Sequence, residues 1–236
     1  MTATGAQLGV MLFIAMLLLM ALRVPIAAAM FIPGVVGYWL LTDTANTINF
    51  LKGNAVARLT VYELSVIPLF LLMGQFASQG GLSRDLFRAA AAVVGHVRGG
   101  LAMAAVLSAG AFGAVCGSSV ATSATITQVA YPEMRKLGYG GRLSTAALAS
   151  GGTLGILIPQ SVPLVVYAIL TEQNIAKLFA AAIVPGLLAM FGYVMVVWLF
   201  ARARPDQAPQ SLRLNWQERV RALWSIWPIS LIFIIV

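Results

Sequence analysis

The run from Leu101 to Pro132 carries no charge and is broken in its middle by Gly117-Ser118-Ser119. This pattern limits the fold more than any other feature of the chain. The run is apolar enough for a bilayer, whose hydrocarbon core is about 30 Å thick. Leu101–Val115 spans only about 22 Å as a helix, at 1.5 Å per residue. The matching arm, Val120–Met134, has the same reach, so neither arm crosses alone. Two short arms around a polar tip predict a re-entrant helical hairpin that enters and leaves on one side. Non-helical backbone survives at membrane depth only where protein or a water-filled cavity covers it. The tip is therefore expected to lie in a site and not in lipid.

The rest of the composition fits an all-α polytopic membrane protein. The chain is 60% hydrophobic and 9% charged, with a mean hydropathy of +0.91. Its net charge of +8 does not point to nucleic acid, because the basic residues stand singly at the ends of apolar runs with no interleaved aromatic platform. Cys116 and His96 are the only cysteine and histidine. This excludes an intrachain disulfide and a cysteine zinc cluster. His96 sits in Gly95-His96-Val97-Arg98 and reads as an interfacial residue. Ser118 or Ser119 as a protease nucleophile would lack a base within the run, so no enzyme is expected.

Further apolar runs flank the hairpin. Leu8–Leu22 and Ile26–Leu41 are joined at Arg23-Val24-Pro25. Met1–Gln7 lacks a basic n-region, so the first run reads as a retained membrane helix. Thr42–Thr60 reads as a loop, and Val61–Ser78 as a helix kinked at Pro68. Leu82–Val94 is amphipathic, with Arg84, Asp85 and Arg88 opposite Leu82, Leu86 and Val93, and is expected to lie flat at the interface. Leu143–Leu170 is a long helix interrupted by Pro159 and Pro163. Ile175–Ala201 is a full span, Arg202–Arg221 a polar loop, and Leu223–Val236 the start of another span. That last run stops at Ile234-Ile235-Val236, which reads as a fragment of a longer chain. The expected division is 1–98 as scaffold helices, 99–172 as half of a moving domain, and 173–236 as the following span, loop and helix start.

Charge orients these runs, since cytoplasmic loops carry the Lys/Arg excess. With the N-terminus outside and a re-entrant hairpin, 12 of the 15 basic residues fall inside. If the hairpin crossed as one ordinary span, the eight basic residues of the later cytoplasmic loops would move to the opposite face.

Two stretches carry candidate chemistry. In the first, 17 of the 25 residues from Leu101 to Thr125 are Gly, Ala, Ser or Thr, which favours close helix packing. Its tip, with Gly117, Ser118, Ser119 and Thr122, also offers hydroxyls and the free N–H groups of a helix start. In the second, from Gly151 to Pro163, Pro159 is expected to free the Gly155 carbonyl and Pro163 the Pro159 carbonyl. Thr153, Gln160 and Ser161 stand in the same place. An unwound helix offering oxygens to an ion is the functional expectation, with Ser118, Ser119, Thr153 and Ser161 as Na⁺ ligands. An ordinary proline kink patched by side chains is the plain alternative. Glu133, Arg135, Lys136 and Tyr139 read as a solvated turn, and Glu63 as interfacial. No carboxylate sits deep in a span, which points to Na⁺ over H⁺ as a coupling ion.

At these motifs the chain resembles the large membrane subunit of tripartite ATP-independent periplasmic (TRAP) transporters. The stretches that carry the likeness are Ile67-Pro68-Leu69-Phe70, Gly95-His96-Val97-Arg98-Gly99-Gly100-Leu101-Ala102, Gly117-Ser118-Ser119-Val120-Ala121, Pro132-Glu133-Met134, Gly138-Tyr139, Leu154-Gly155 through Ser161, and Pro185-Gly186-Leu187-Leu188. The resemblance implies one repeat of a two-repeat, elevator-type, Na⁺-coupled importer of small organic acids in the bacterial inner membrane. It also implies two partners, a periplasmic substrate-binding protein and a small four-helix membrane subunit, and no cofactor beyond the coupling ion. Where the family usually has a second proline, this chain has Gln160. Two alternatives are another two-hairpin anion/Na⁺ symporter and a truncated membrane subunit that assembles without transporting.

Overall fold

A computed structural model describes residues 5–59, 66–211 and 215–227, and the secondary structure there is helical. Glu63, the start of the 61–78 run and the end of the final run lie outside the described residues. The chain forms two compact units, 1–61 and 62–236.

The first unit contains α1 (Gly5–Ala21), α2 (Ile26–Leu41) and α3 (Thr44–Leu59). Arg23 ends the first helix in a left-handed conformation, φ +63°. Its N–H bonds the Met20 carbonyl and the Val24 N–H reaches the Leu19 carbonyl, which closes the last turn before Pro25. A Cβ on Gly37 would run into Leu12 Cδ1, so α1 and α2 touch at a glycine. The segment read as a loop, Thr42–Thr60, is instead mostly the helix α3. Asp43 starts it: its carboxylate accepts from the Asn46 N–H at 2.6 Å, and its carbonyl accepts from the Thr47 N–H.

The second unit is built around α6 (Gly100–Cys116), which packs against α4 (Val66–Gln79), α5 (Leu82–Val94), α7 (Ser119–Lys136), α8 (Gly141–Leu157) and α10 (Ile175–Ala203). Fifteen of its 17 residues are buried. Small residues permit this: a Cβ on Gly113 would stand 2.5 Å from Gly155 Cα, and one on Gly151 would stand 3.1 Å from Ala109 Cβ. Pro68 lies within α4, and the residues that precede this helix, 60–65, lie outside the described residues. The α5 boundaries match the amphipathic run, with Leu86 buried and Arg84 and Arg88 exposed. Val93, read as part of the apolar side, is 50% exposed.

The hairpin is formed by α6 and α7, with Gly117-Ser118 between them. Tyr139, just past the second arm, ties its far end to the start of the first. Its hydroxyl accepts from the Leu101 N–H at 3.1 Å, an N–H with no partner inside its own helix. Of the turn read as solvated, Glu133, Arg135 and Lys136 are exposed, with Glu133 and Lys136 pairing at 2.8 Å, whereas Tyr139 is buried at 1% exposure. Burial pushes the Tyr139 phenol above its usual pKa. The end of α10 joins this base through Gly140 N–H to the Gln207 carbonyl, 3.0 Å. Arg98, Arg135, Lys136, Arg142 and Arg204 thus gather at one end of the unit.

Two helices, Gly141–Leu170 (counted through its break) and Ile175–Ala203, are long and apolar enough to cross a membrane. The first is interrupted at 158–161 and resumes as α9 (Val162–Leu170). Pro163 occupies the first turn of α9, where the missing N–H frees no carbonyl; the break belongs to Pro159. The polar loop contains a short 3₁₀ turn, Pro205–Gln207, and α11 (Trp216–Trp224), which packs on α5.

Candidate functional site

The two motifs singled out by sequence meet. The hairpin tip lies against the break between α8 and α9: the Val162 N–H donates to the Gly117 carbonyl at 3.4 Å. Gly117 is left-handed, φ +65°, and a Cβ there would collide with the Gln160 carbonyl oxygen. A Cβ on Gly155 would stand 2.6 Å from Thr122 Oγ1 and 3.0 Å from the Ser118 carbonyl oxygen. Gly113, Gly117 and Gly155 therefore let three backbone segments approach one another.

The polar atoms at this junction are under-used. Ser118 caps α7 through a long bond from the Ala121 N–H, 3.4 Å. Ser161 occupies the cap position of α9, yet its hydroxyl makes no capping bond and is fully buried without a partner. Pro163 explains part of this, because it supplies no N–H for the cap to accept. The Thr122 hydroxyl is also fully buried and without a hydrogen-bond partner, with the Cys116 thiol nearby. Gln160 Oε1 is a third buried oxygen without a partner. Gln160 takes a left-handed backbone, φ +75°, which costs an L-residue about 1–2 kcal/mol. Buried polar atoms are normally paired, and each orphan costs about 1–3 kcal/mol. Gln160 and Ser161 place two of these oxygens at the helix break, and Thr122 stands on α7 against Gly155.

The break also places four helix ends together. The C-termini of α6 and α8 bring carbonyls, and the N-termini of α7 and α9 bring N–H groups with partial positive charge. One junction thus offers oxygens to a cation and dipoles to an anion.

Other expected residues lie elsewhere. Thr153 is exposed, and its hydroxyl donates to the Ser150 carbonyl at 2.7 Å and meets the Tyr193 hydroxyl at 3.2 Å. Ser119 and Thr153 line an open groove of about 590 Å³ with Ser123, Thr127 and Gln128. Ser119, Ser123 and Thr127 recur every four residues on α7, a hydroxyl stripe readable from spacing but not singled out by the sequence reading. Pro159 is half-buried in the bend beside Gln160. Among the described residues no cluster of three or more His, Cys, Asp or Glu is present.

The sequence has clear relatives. Residues 13–236 match the family described as "Tripartite ATP-independent periplasmic transporter, DctM component". The chain is 43% identical over 169 residues to the C4-dicarboxylate TRAP transporter large permease protein DctM of Pseudomonas aeruginosa, covering 70% of this chain and 39% of that protein. It is 34% identical over 226 residues to the DctM protein of Vibrio cholerae serotype O1, covering 95% of this chain and 49% of that one. It is 30% identical over 218 residues to the ectoine TRAP transporter large permease protein TeaC of Halomonas elongata, covering 91% and 49%. The chain spans about half the length of the curated relatives it matches. These relatives are transporter permease subunits and not enzymes. The chain belongs to the DctM family of TRAP transporter large permeases.

Proposed function

We propose that this chain supplies one repeat of an inner-membrane permease for Na⁺-coupled import of small organic acids. A periplasmic binding protein delivers the substrate, and a small membrane subunit completes the permease. The observation that carries this reading is the junction of hairpin tip and broken helix, with its three unpartnered oxygens. Thr122, Gln160 and Ser161 hold Na⁺ there together with main-chain carbonyls of the unwound segment, as discontinuous helices do in secondary transporters. Ser118 stands at the same tip. Ser119 and Thr153, which face the open groove, contact substrate instead of the ion. The hairpin is re-entrant, and the packing of both its arms, α6 and α7, on α8 supports movement of these elements as one body in an elevator step.

The substrate anion is held without a buried cation. No Lys or Arg lies between Leu101 and Pro132, nor between Leu143 and Glu172. A fixed arginine at depth would cost several kcal/mol. Each helix terminus contributes roughly 0.3–1 kcal/mol, more when partly buried, so bound Na⁺ supplies most of the positive potential. Affinities for Na⁺ and substrate are then reciprocally coupled.

The test is uptake of labelled succinate by the complete transporter with its binding protein in liposomes. Uptake is expected to need inward Na⁺ and to be lost when choline replaces it. Ser161→Ala should raise the Na⁺ needed for half-maximal uptake about tenfold, or about 1.4 kcal/mol. Equal succinate uptake in Na⁺ and choline would overturn the coupling.

A further inference from the structure

A second feature of the fold lies at the opposite end of the same helices. Between α8 and α10 runs a cavity of about 410 Å³. Val106 of α6 forms its floor, and Ala146, Val196 and Phe200 contribute apolar walls. Arg142 and Arg204 line it too, and no other charged residue does. Arg142 stands at the start of α8 and Arg204 just past the end of α10. The two helices are antiparallel neighbours, so both cations stand at one mouth of the groove.

Its length matches one leaflet. From Arg142 to Ser150 the groove follows α8 for about 12 Å, and from Arg204 back to Tyr193 it follows α10 for about 16 Å. Half of the hydrocarbon core is about 15 Å. The mouth lies at the interface level. Arg202, near the end of α10, stacks over Trp198 with 4.0 Å to the ring centroid, and such aromatic and basic residues mark the membrane–water boundary. Neither Arg142 nor Arg204 has a carboxylate partner. Among the described residues the one ion pair is Lys136–Glu133. Arg204 is instead steered over the Phe200 ring, 5.9 Å to its centroid, at the rim of the groove.

We infer that this groove holds one anionic phospholipid, with its phosphate between Arg142 and Arg204 and an acyl chain along Val106, Ala146 and Val196. Charge complementarity selects this occupant. A small soluble acid would not need a leaflet's depth of apolar wall, and an apolar protein helix would leave both cations unanswered. The basic end of the unit is the cytoplasmic end under the positive-inside rule. Anionic lipids are enriched in that leaflet, and basic pockets between helices on that side take their headgroups. The lipid would fill the wall of α8 behind the broken segment, so its occupancy supports the rigid half of that helix.

Native mass spectrometry of the detergent-purified chain tests this directly. Dioleoyl phosphatidylglycerol and dioleoyl phosphatidylcholine are supplied in equal amounts. Retention of one phosphatidylglycerol, favoured about tenfold over phosphatidylcholine, is expected from two cations at the mouth. Arg142→Gln with Arg204→Gln should bring the preference to about one, whereas Arg84→Gln with Arg88→Gln should leave it intact. Ala146→Trp, which fills the groove below the mouth, should lower retention of both lipids. Circular dichroism checks that each variant keeps its helix content. Equal retention of the two lipids by the unaltered chain would overturn the proposal, as would an undiminished preference in a folded Arg142/Arg204 variant. Competition by free glycerol 3-phosphate at equal concentration would also overturn it, because the site would then read a headgroup and not a lipid. Lipid retention does not depend on Na⁺ or succinate, so this result stands apart from the test of transport.

Discussion

At the scale of single residues, Gln160 concentrates the tension between stability and function. Its left-handed backbone and its unpartnered buried amide oxygen both disfavour the fold. Gln160→Gly should therefore stabilise the protein by about 1 kcal/mol while weakening Na⁺ binding; thermal unfolding in detergent with and without Na⁺ reads both. Gly117 has the opposite sign. Gly117→Ala adds a Cβ at φ +65° against the Gln160 carbonyl oxygen, and should cost at least about 1–2 kcal/mol by the same measurement. Tyr139→Phe removes the acceptor for the Leu101 N–H inside a buried base and should cost about 1–3 kcal/mol. Ser161 could be singled out from sequence as a small hydroxyl residue between two prolines, and Thr122 as a hydroxyl residue just past the Gly117-Ser118-Ser119 tip. The position of Thr153 was not legible. Its hydroxyl returns to the Ser150 carbonyl of its own helix, a local choice open to any helical threonine. Tyr139 was misread because its partner, Leu101, is 38 residues away.

At the scale of elements, the hairpin was legible almost to the residue, because a charge-free run with a two-residue Gly-Ser turn leaves few other folds. The sequence placed the tip at Gly117-Ser118-Ser119, and the helices end at Cys116 and restart at Ser119. The helix at Thr44–Leu59 was missed because its polar composition hides it from an apolar-run reading; the Asp43 cap and Asn46 three residues later were the available signal. Pro163 was over-read, since proline in a first turn removes no bond. The sequence reading put hydroxyls of tip and break in one site; what it could not supply was the contact itself, which depends on glycine approaches between α6, α7 and α8. The hairpin's closed base makes a prediction at this scale. Single cysteines near Arg98 and Lys136, in a Cys116→Ala background, should both react with a membrane-impermeant maleimide from the same face. Labelling from opposite faces would mean that the hairpin crosses.

For the whole molecule, two kinds of site divide the helices between them. The junction brings together four helix ends and oxygens without partners, while the other end collects the basic residues around Tyr139 and Gly140. The proposed ion-coupled permease would use this polarity, with backbone and a mobile ion supplying the field at depth and fixed cations kept to the interface. The central claim is that the junction binds Na⁺. The most direct measurement is the thermal midpoint of the purified chain titrated with NaCl against choline chloride at constant ionic strength, for the unaltered protein and for Ser161→Ala with Thr122→Val. Binding to the folded state alone stabilises by about 2.7 kcal/mol at one hundred times the dissociation constant. The midpoint of the unaltered chain should rise with Na⁺ and not with choline, and the folded double variant should lose that difference. Identical midpoints in the two salts, or a Na⁺-specific rise that survives in the double variant, would contradict the assignment.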